Sequence, residues 1–265
     1  MNPSSDLPPA AYTEAIATLY DQWKAGDNYE LWADLLLGPI KEHGSGGRRL
    51  LDVGCGTGTS SFVFLDRGFD VAACDIAEPM LAVARSKNCP ERTISFHQAD
   101  MRDLPSTLGS FDVILWMDDV ANHLASAQDL NSAIRSSAGL LAPEGLLVFD
   151  VNTMQVFLQH FAQQHVSKTE QAVFIWDGQT PSPTPDTPAQ ATLTAFHRVD
   201  QKNWKKSEGS VTEHHFSASI IRAALDTAGL EYIQAYGLLG SESRLAIPAS
   251  EEKHNKIIYV ARRPG

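Results

Sequence analysis

Three glycines at alternate positions follow a short apolar run in the segment "LLDVGCGTGT", residues 50–59. Gly54, Gly56 and Gly58 are spaced G-x-G-x-G, whereas the pyrophosphate-binding fingerprint G-x-G-x-x-G would require a glycine where the chain has Thr59. A dinucleotide also needs a helix N-terminus directed at its pyrophosphate. The alternate spacing therefore favours a phosphate-free ligand whose amino-acid end lies against the loop, and S-adenosylmethionine has that shape.

Acidic residues end the next apolar runs at positions that suit the same ligand. Asp75 follows Gly54 by 21 residues, and Asp100 is followed directly by Met101. In a doubly wound sheet the ligand lies across the carboxyl ends of the strands. We therefore expect Asp75 to accept hydrogen bonds from ribose hydroxyls and Asp100 from an adenine amino group, with Met101 against the ring. Asp52, at the mouth of the first strand, completes the set.

The segment "WMDDVANHL", residues 116–124, follows the fourth predicted strand and should face the reacting end of that ligand. His123 is the first candidate for a base or an orienting group, although a histidine at a helix start can instead bond to backbone. Asp118 and Asp119 could hold an ammonium or a sugar hydroxyl, or one of them could cap the following helix. Asn122 is a less distinctive candidate for substrate binding.

Aromatic and histidine side chains outside this segment supply further candidates. Tyr20 and Tyr29 could close over a sulfonium, since an aromatic face attracts a cation, or they could pack in the core. Trp176, His197 and His215 could line a substrate pocket. The adjacent His214 and His215 would point to opposite faces of a strand, and the sequence has no third ligand at a spacing suited to a metal. We therefore predict no metal site.

The elements that must position these groups follow from the hydrophobic pattern. Short apolar runs alternate with helical stretches through residues 48–152, which predicts an α/β protein with a doubly wound, Rossmann-like, mostly parallel sheet. Residues 1–47 are predicted to form an N-terminal helical cover. Residues 153–216 are predicted to form an inserted antiparallel β flap that begins with a helix over 153–170. Residues 217–265 are predicted to form a helix and a closing strand pair of the core.

Five segments resemble, in order, the successive motifs of the class I S-adenosylmethionine-dependent methyltransferases. They are "LLDVGCGTGT", "CDIAEPML", "HQADM", "FDVILWMDDVANHL" and "LLAPEGLLVFDVN". The resemblance implies a seven-stranded sheet with an antiparallel last strand and S-adenosylmethionine as cofactor. It implies that the methionine part lies at Asp52 and the glycine loop, the ribose at Asp75, and the adenine against Ile76. The cofactor-binding residues expected are Tyr20, Tyr29, Asp52, Gly54, Gly56, Gly58, Asp75, Ile76, Asp100, Met101 and Met117.

A narrower resemblance connects the chain with small-molecule N-methyltransferases, including amino-sugar N,N-dimethyltransferases and glycine N-methyltransferase-like enzymes. It is carried by Tyr20 with Asp21 in the first helix and by His123 with Leu124 after the fourth strand. It implies in-line methyl transfer to an amine or hydroxyl of a small molecule. Open alternatives are O-methylation with His123 as base, an NAD-dependent oxidoreductase, and a non-catalytic protein that binds S-adenosylmethionine. The catalytic candidates are His123, Tyr20, Asp118 and Asp119.

The charge balance constrains the partners. The 265 residues include 21 basic and 32 acidic side chains, a formal net charge of −11, which would repel nucleic-acid phosphate and anionic lipid. The three cysteines show no C-x-x-C spacing, and the sequence has no signal-peptide pattern or membrane-length apolar run. We therefore expect a cytoplasmic monomer or homodimer that acts on a small molecule, with no nucleic-acid or membrane partner.

Overall fold

The computed structural model describes residues 12–238 and 244–265 of the chain. Within them the strands are β1 (Arg49–Val53), β2 (Asp70–Asp75), β3 (Ser95–Gln98), β4 (Phe111–Trp116), β5 (Leu141–Asn152), β6 (Gln164–Lys168), β7 (Ala172–Gly178), β8 (Pro188–Arg198), β9 (Trp204–His214), β10 (Glu231–Leu238) and β11 (Lys256–Arg262). The helices are α1 (Glu14–Trp23), α2 (Tyr29–His43), α3 (Thr59–Asp66), α4 (Glu78–Ser86), α5 (Ala127–Leu140), α6 (Met154–Val156) and α7 (Ala218–Thr227). None of these helices is both long and apolar enough to cross a membrane.

Seven strands form the central sheet, in the order β10-β11-β5-β4-β1-β2-β3. The pairs β1–β2, β2–β3, β1–β4 and β4–β5 are parallel, and β11 is antiparallel to both β5 and β10. The prediction of a doubly wound, mostly parallel, seven-stranded sheet is confirmed. The chain runs from β1 outward to β3 and then crosses to β4 on the other side of β1. The carboxyl ends of β1 and β4 therefore border the crevice in which such sheets bind ligands.

Helices cover both faces of this sheet, which explains the continuous apolar runs of its central strands. Leu51 of β1 belongs to an apolar cluster with residues of α5 and α7. Its neighbour Leu50 points the other way, into a cluster with residues of α2, α3 and α4. Neither leucine is exposed to solvent. The core is thus divided by the sheet into two layers, and the carboxyl edge of the sheet stays free for the site.

A separate antiparallel sheet, in the order β6-β7-β8-β9, forms the flap. The predicted antiparallel flap is therefore confirmed, but the helix predicted over 153–170 is wrong in its second half. Helix α6 continues as a π-helical turn only to Phe161, and residues 164–168 pair with β7 as strand β6. All side chains of β6 are exposed, so this strand has no apolar period that the sequence could show.

The N-terminal helices connect the flap with the core. Ile16 and Leu19 of α1 lie in one apolar cluster with Phe174 of the flap, and the Trp23 ring stacks on those of Phe174 and Trp176 at centroid distances of 6.2 and 6.1 Å. Helix α2 packs instead on the core sheet. The division of the chain into the four predicted segments remains a proposal.

Candidate active site

The loop between β1 and α3 depends on its glycines. Gly54, Gly56 and Gly58 have φ angles of 72°, 53° and 79°, a region that residues with a side chain rarely adopt. A Cβ on Gly54 would lie 2.5 Å from Val120, so this position also allows a close approach of the segment after β4. The Gly56 amide donates to Asp75 Oδ2 at 2.8 Å and thereby fixes the loop against the end of β2.

This loop forms part of the wall of a cavity of about 500 Å³, here named the loop cavity. Apolar side chains contribute to the same wall, and among them Ile76 is 62% exposed although it lies directly after β2. The predicted cofactor-binding residues that line the cavity are Tyr20, Tyr29, Gly54, Gly56, Asp75, Ile76, Asp100, Met101 and Met117.

Asp75 ends β2, Asp100 comes two residues after the neighbouring strand β3, and both line the loop cavity. Burial raises the pKa of Asp75, while the amides of Ala77 and Gly56, which donate to its carboxylate, oppose the rise. Asp100 forms a bidentate pair with Arg102, with Nε–Oδ1 at 3.0 Å and Nη2–Oδ2 at 2.6 Å, and this pair lowers the pKa of Asp100. A carboxylate offers about four lone-pair positions, so each group keeps acceptor capacity toward the cavity.

Two predicted cofactor contacts, Asp52 and Gly58, do not line the loop cavity, and their expected direct roles need correction. Asp52 is 1% exposed, and its Oδ2 accepts hydrogen bonds from the hydroxyls of Ser60 and Ser61 at 2.7 and 2.6 Å. Burial raises the pKa of Asp52 to about 6, although the two hydroxyls lower it. Gly58 packs its backbone against Phe96, which a Cβ would approach to 3.0 Å. Both residues shape the loop from beneath.

The N-terminal helices are fastened to the walls of the loop cavity. Asp21 of α1 accepts a hydrogen bond from the Thr57 hydroxyl in the glycine loop at 2.5 Å. Lys24 of α1 forms an ion pair with Asp118 at 2.9 Å, and the Tyr29 hydroxyl of α2 donates to the same carboxylate at 3.0 Å. The cover is therefore bonded both to the loop after β1 and to the turn after β4.

Asp118 and Asp119 form that turn with an uncommon backbone. Their φ angles are 68° and 56°, and such conformations cost non-glycine residues about 1–3 kcal/mol each. The Asp150 carboxylate in β5 accepts hydrogen bonds from the backbone amides of both residues, at 2.7 and 2.9 Å. Lys256 of β11 forms ion pairs with Asp119 and Asp150. Asp150 and Lys256 thus hold a strained turn of the kind that clusters at functional sites.

The charges around this turn are buried and influence one another. Burial by itself would lower the pKa of Lys256, but Asp119 and the neighbouring carboxylates raise it, so the ammonium stays charged. Burial opposes ionisation of Asp118, yet Lys24 and Lys256 bring its pKa below the usual range. Burial raises the pKa of Asp119, Lys256 offsets this only in part, and Asp118 and Glu213 raise it further.

A second cavity of about 500 Å³, here named the flap cavity, adjoins the first. Tyr20, Asp118 and His123 line both cavities, whereas Asp119 lines the flap cavity alone. The flap contributes Trp176 from β7, whose indole donates to the His160 carbonyl at 2.8 Å. The structure therefore brings together all four predicted catalytic residues, Tyr20, Asp118, Asp119 and His123.

His123 lies at the centre of this arrangement. Its Nε2 is 3.3 Å from the Tyr12 hydroxyl, and the two rings meet edge to face. One side-chain oxygen or nitrogen from each of Asp119, His123 and Glu213 lies within 4.8 Å of the others. Burial raises the pKa of Glu213, and His123 opposes this rise. The three groups can accept hydrogen bonds from one cationic ligand.

Three predicted substrate-binding residues line neither cavity. Asn122 is buried, donates from Nδ2 to the His214 carbonyl and accepts from the Asn152 amide, each at 2.9 Å, so both ends of its side-chain amide are bonded within the fold. His215 is buried between the Asp186 amide and Glu251, each 3.1 Å from one ring nitrogen. His197 lies on β8 near its turn to β9. Asn122 and His215 are therefore structural positions, and the substrate-binding role of His197 stays a prediction.

Sequence reasoning missed Lys24, Asp150, Glu213 and Lys256. Asp150 near the end of β5 carries the same signal that selected Asp75, an acid at the end of an apolar run. The other three come from α1, β9 and β11, and no local pattern marks them.

The lining of the loop cavity fits S-adenosylmethionine better than a dinucleotide. Asp75 offers a carboxylate for ribose, and Ile76 offers an exposed apolar surface for a base. Among the described residues, the lysine and arginine side chains of this lining are Lys24 and Arg102, and both are bound to carboxylates. A diphosphate would therefore meet no free cation of these types there.

Comparison with known proteins agrees with this geometry. Residues 50–145 match the family described as a methyltransferase domain. A protein of Bacillus subtilis (strain 168) named YqeM is 30% identical over 164 residues, which cover 62% of this chain and 65% of that protein. The dTDP-3-amino-3,6-dideoxy-alpha-D-glucopyranose N,N-dimethyltransferase of Streptomyces fradiae is 34% identical over 147 residues, which cover 54% of this chain and 55% of that enzyme. The chain thus spans less than two thirds of either relative.

The fold has a close counterpart among solved structures. An S-adenosylmethionine-dependent methyltransferase from Clostridium acetobutylicum ATCC 824 aligns with a TM-score of 0.78 over 95% of this chain and 98% of that one, at 20% identity. At this identity the likeness concerns the fold, while the family match covers the glycine loop, Asp75 and Asp100. Residues 50–145 thus match a methyltransferase domain, and the chain shares the fold of that solved methyltransferase.

Proposed function

We propose that the enzyme transfers a methyl group from S-adenosylmethionine in the loop cavity to an amine of a small molecule in the flap cavity. The observation that carries the proposal is the wall shared by the two cavities, which includes Tyr20, Asp118 and His123. A nucleophile in one cavity could approach a methyl group in the other without leaving the protein. Alignment of this kind can contribute about 7–11 kcal/mol to lowering the barrier.

The bound cofactor supplies a methyl group already activated by a positively charged sulfur. The chain then has to bind and orient the donor and the acceptor and to exclude water from them. Asp75 and Ile76 are our candidates for holding ribose and adenine. Tyr20 offers an aromatic ring where the cavities meet, and such a ring attracts a sulfonium.

His123 is our candidate for removing a proton from the acceptor. An amine that enters as an ammonium must lose a proton before its lone pair can attack. Asp119 and Glu213 lie within 4.8 Å of His123, so a proton taken up by the imidazole would be stabilised by two carboxylates. A positioned base of this kind contributes ~10²–10⁴-fold to rate.

The charge of the flap cavity favours an amine over a hydroxyl. An ammonium brings a positive charge to the acidic walls, whereas a neutral alcohol brings none. The Streptomyces fradiae relative is, by its name, an N,N-dimethyltransferase of an amino sugar. The net charge of −11 further supports a small-molecule acceptor rather than nucleic acid or membrane. A cytoplasmic location and a monomeric or homodimeric state remain predictions.

The acceptor atom can be identified with a donor that carries a ¹³C-labelled methyl group. The enzyme is incubated with amino sugars, simple amines and matched alcohols, and the methyl carbon of each product is located by NMR. Label on nitrogen is the expected result. Label on oxygen would replace the proposal by O-methylation with His123 as base, and binding of the cofactor without transfer to any compound would favour a non-catalytic role.

Asp75→Asn tests the cofactor half of the proposal. The variant loses charge-assisted hydrogen bonds to the ribose, each worth about 1.5–3 kcal/mol, so we expect S-adenosylhomocysteine to bind about 100-fold more weakly by calorimetry. Asp70→Asn at the exposed start of the same strand is the matched control and should bind as the wild type does. Unchanged affinity in Asp75→Asn would remove Asp75 from the ribose role.

A further inference from the structure

We infer that the flap cavity selects acceptors that carry an ammonium group and no phosphate or carboxylate, with Asp119, His123 and Glu213 as the ammonium-binding subsite. The inference rests on the proposed methyl transfer to an amine. It further specifies which charged groups the rest of the acceptor molecule can carry.

The walls of the flap cavity hold more negative than positive charge. The single positive charge of Lys256 faces more than one carboxylate. Its ammonium pairs with Asp119 and also with Asp150, which lies behind the wall. The described wall therefore holds four carboxyl groups against two ammonium groups, and a cationic ligand would favour the ionised forms of Asp119 and Glu213, whose pKa values burial raises. The charged wall residues, histidines aside, are Asp27, Asp118, Asp119, Glu213, Lys24 and Lys256.

This surplus matches the charges that an N-methylation step must accommodate. The ammonium form of the acceptor gives a proton to the His123 imidazole. The freed lone pair forms a nitrogen–carbon bond as the carbon–sulfur bond breaks, and the sulfur keeps that electron pair as a neutral thioether. The subsite then faces two positive charges, the proton on the protein and the methylated ammonium. Methyl transfer to a neutral hydroxyl would leave only the proton.

Neither lysine of the wall is free to bind an anion. Lys24 Nζ lies 2.5 Å from Asp27 and 2.9 Å from Asp118. Lys256 Nζ lies 2.9 Å from Asp150 and is also bonded to Asp119. A phosphate or carboxylate of the acceptor would have to displace the largely buried carboxylates of Asp118, Asp119 and Asp150, and a separated buried charge is costly.

The remaining stretches of sequence offer no replacement cation of these types. Residues 1–11 and 239–243, outside the described part of the chain, contain neither lysine nor arginine. These residues therefore cannot supply a lysine or an arginine to the wall.

Glu213 gives the subsite a group that needs a donor. Its side chain is 5% exposed, and Oε2 accepts from Asn152 Nδ2 at 3.0 Å. In the part of the chain that the structure describes, no donor reaches the other oxygen, although Glu213 lines the cavity. That oxygen can accept a hydrogen bond from the cavity side, so a ligand that donates would stabilise the carboxylate.

The spacing of the subsite suits an ammonium. Three acceptors placed tetrahedrally about one nitrogen at about 2.8 Å are about 4.6 Å apart. The side-chain atoms of Asp119, His123 and Glu213 lie within 4.8 Å of one another. The same residue types can bind a divalent metal, but the Lys256 ammonium bonded to Asp119 would repel two charges more strongly than the single charge of an ammonium. A metal is therefore an outcome to be tested against the ammonium.

The inferred specificity separates this enzyme from its amino-sugar relative. The acceptor in that relative's name is a dTDP-linked sugar, which carries a diphosphate. We expect such a nucleotide-linked acceptor to be disfavoured here relative to the same amine without its phosphates.

A thermal-shift experiment tests the subsite without knowledge of the natural acceptor. The melting temperature of the S-adenosylhomocysteine complex is compared in propylammonium chloride and in sodium propionate at equal concentration and ionic strength. Propylammonium should raise it by about 2–4 °C and propionate should not. Glu213→Gln should abolish the shift, and Glu208→Gln, on the exposed face of the same strand, should keep it.

Every other result of this experiment counts against the inference. A shift that is absent, equal for the two ions or retained in Glu213→Gln would overturn the ammonium subsite. A larger rise with magnesium or manganese chloride, reversed by a chelator, would assign the cluster to a metal instead.

Paired acceptors test the selection itself. S-adenosylhomocysteine formation is measured with glucosamine against glucosamine 6-phosphate, and with glycinamide against glycine, alongside the ¹³C location of the methyl group. We expect the member of each pair without the anionic group to react at least 10-fold faster, as kcat/KM. Methylation of nitrogen with the anionic members preferred would overturn the inference and leave the proposed function standing. Methylation of oxygen would overturn the proposed function itself.

Discussion

The loop cavity and the flap cavity share a wall, yet the chain builds them in different ways. The loop cavity is formed largely by the ends of consecutive parallel strands, with Gly54, Asp75 and Asp100 as its marks. The flap cavity combines Lys24 from the first helix with Lys256 from the last strand, together with residues of the turn after β4 and of the flap. The difference indicates that the loop cavity is encoded in local motifs, whereas the flap cavity, our proposed acceptor site, depends on ion pairs between distant segments.

Removing Lys256 should show the largest effect of this difference. Lys256→Met keeps an apolar chain of similar length but leaves Asp119 and Asp150 without the ammonium of Lys256, whose side chain is 13% exposed. Breaking a buried pair by removing one partner costs about 3–5 kcal/mol, so we expect that loss in the free energy of unfolding at neutral pH. Urea unfolding followed by circular dichroism measures it.

A neighbouring lysine supplies the control for this change. Lys253 is exposed three residues earlier, and Lys253→Met should alter the free energy of unfolding by less than about 0.5 kcal/mol. Combining Lys256→Met with Asp150→Asn should recover part of the loss, because the two side chains interact. Equal stability of Lys256→Met and the wild type would mean that long-range ion pairs do not support the flap cavity.

The same difference explains how much of the molecule the sequence could predict. The alternation of apolar runs and helices was sufficient to predict the parallel strands of the sheet, because each β–α unit has its own pattern, whereas the seven strands with an antiparallel last one were implied by the family resemblance. Strand β6 escaped prediction because it exposes all its side chains and exists through pairing with β7. Glu213 and Lys256 escaped because only the folded chain brings β9 and β11 beside the turn after β4.

Strand-end acids show a further limit of sequence reasoning. Asp52 and Asp75 both stand next to the crevice in the sequence pattern, but Asp52 is directed beneath the loop to Ser60 and Ser61. Asn122 likewise lies within the motif after β4, but its side-chain amide forms hydrogen bonds with the backbone of His214 and Asn152. Position along a strand places a residue near the site, but the direction of its side chain depends on tertiary partners.

The buried position of Asp52 leads to a pH-dependent prediction of intermediate size. The folded protein retains the Asp52 proton up to about pH 6, whereas the unfolded chain releases it near 3.8. The folded state binds more protons in this window, so the Asp52 contribution to stability decreases as pH rises from about 4 to about 6. Relative to Asp52→Asn, which has no such proton, the wild type should lose about 3 kcal/mol of unfolding free energy across that window.

Urea unfolding of both proteins at a series of pH values provides the measurement. The difference between them matters more than either curve, because other buried carboxyl groups titrate in both. Asp70→Asn, exposed at the start of β2, should run parallel to the wild type. A constant difference between wild type and Asp52→Asn would show that Asp52 is already ionised under the loop and that burial does not govern it.

The glycine loop offers the smallest of these effects and the most local one. Gly54→Ala places a side chain at a φ of 72°, which costs about 1–2 kcal/mol, and places its Cβ 2.5 Å from Val120. The shift of neighbouring atoms that removes this overlap costs at least about 1 kcal/mol more. We therefore expect a loss of about 2–3 kcal/mol in the free energy of unfolding and weaker S-adenosylhomocysteine binding. Gly26→Ala, with open space around the new Cβ, should do neither.

A second substitution separates the two causes. In Gly54→Ala with Val120→Ala the overlap disappears while the backbone strain remains, so about half of the Gly54→Ala loss should be recovered relative to Val120→Ala alone. Full recovery would mean that the glycine is needed only for the close approach of the segment after β4. No recovery would mean that the backbone conformation alone requires it, and the segment after β4 would then be less tightly coupled to the loop than the geometry indicates.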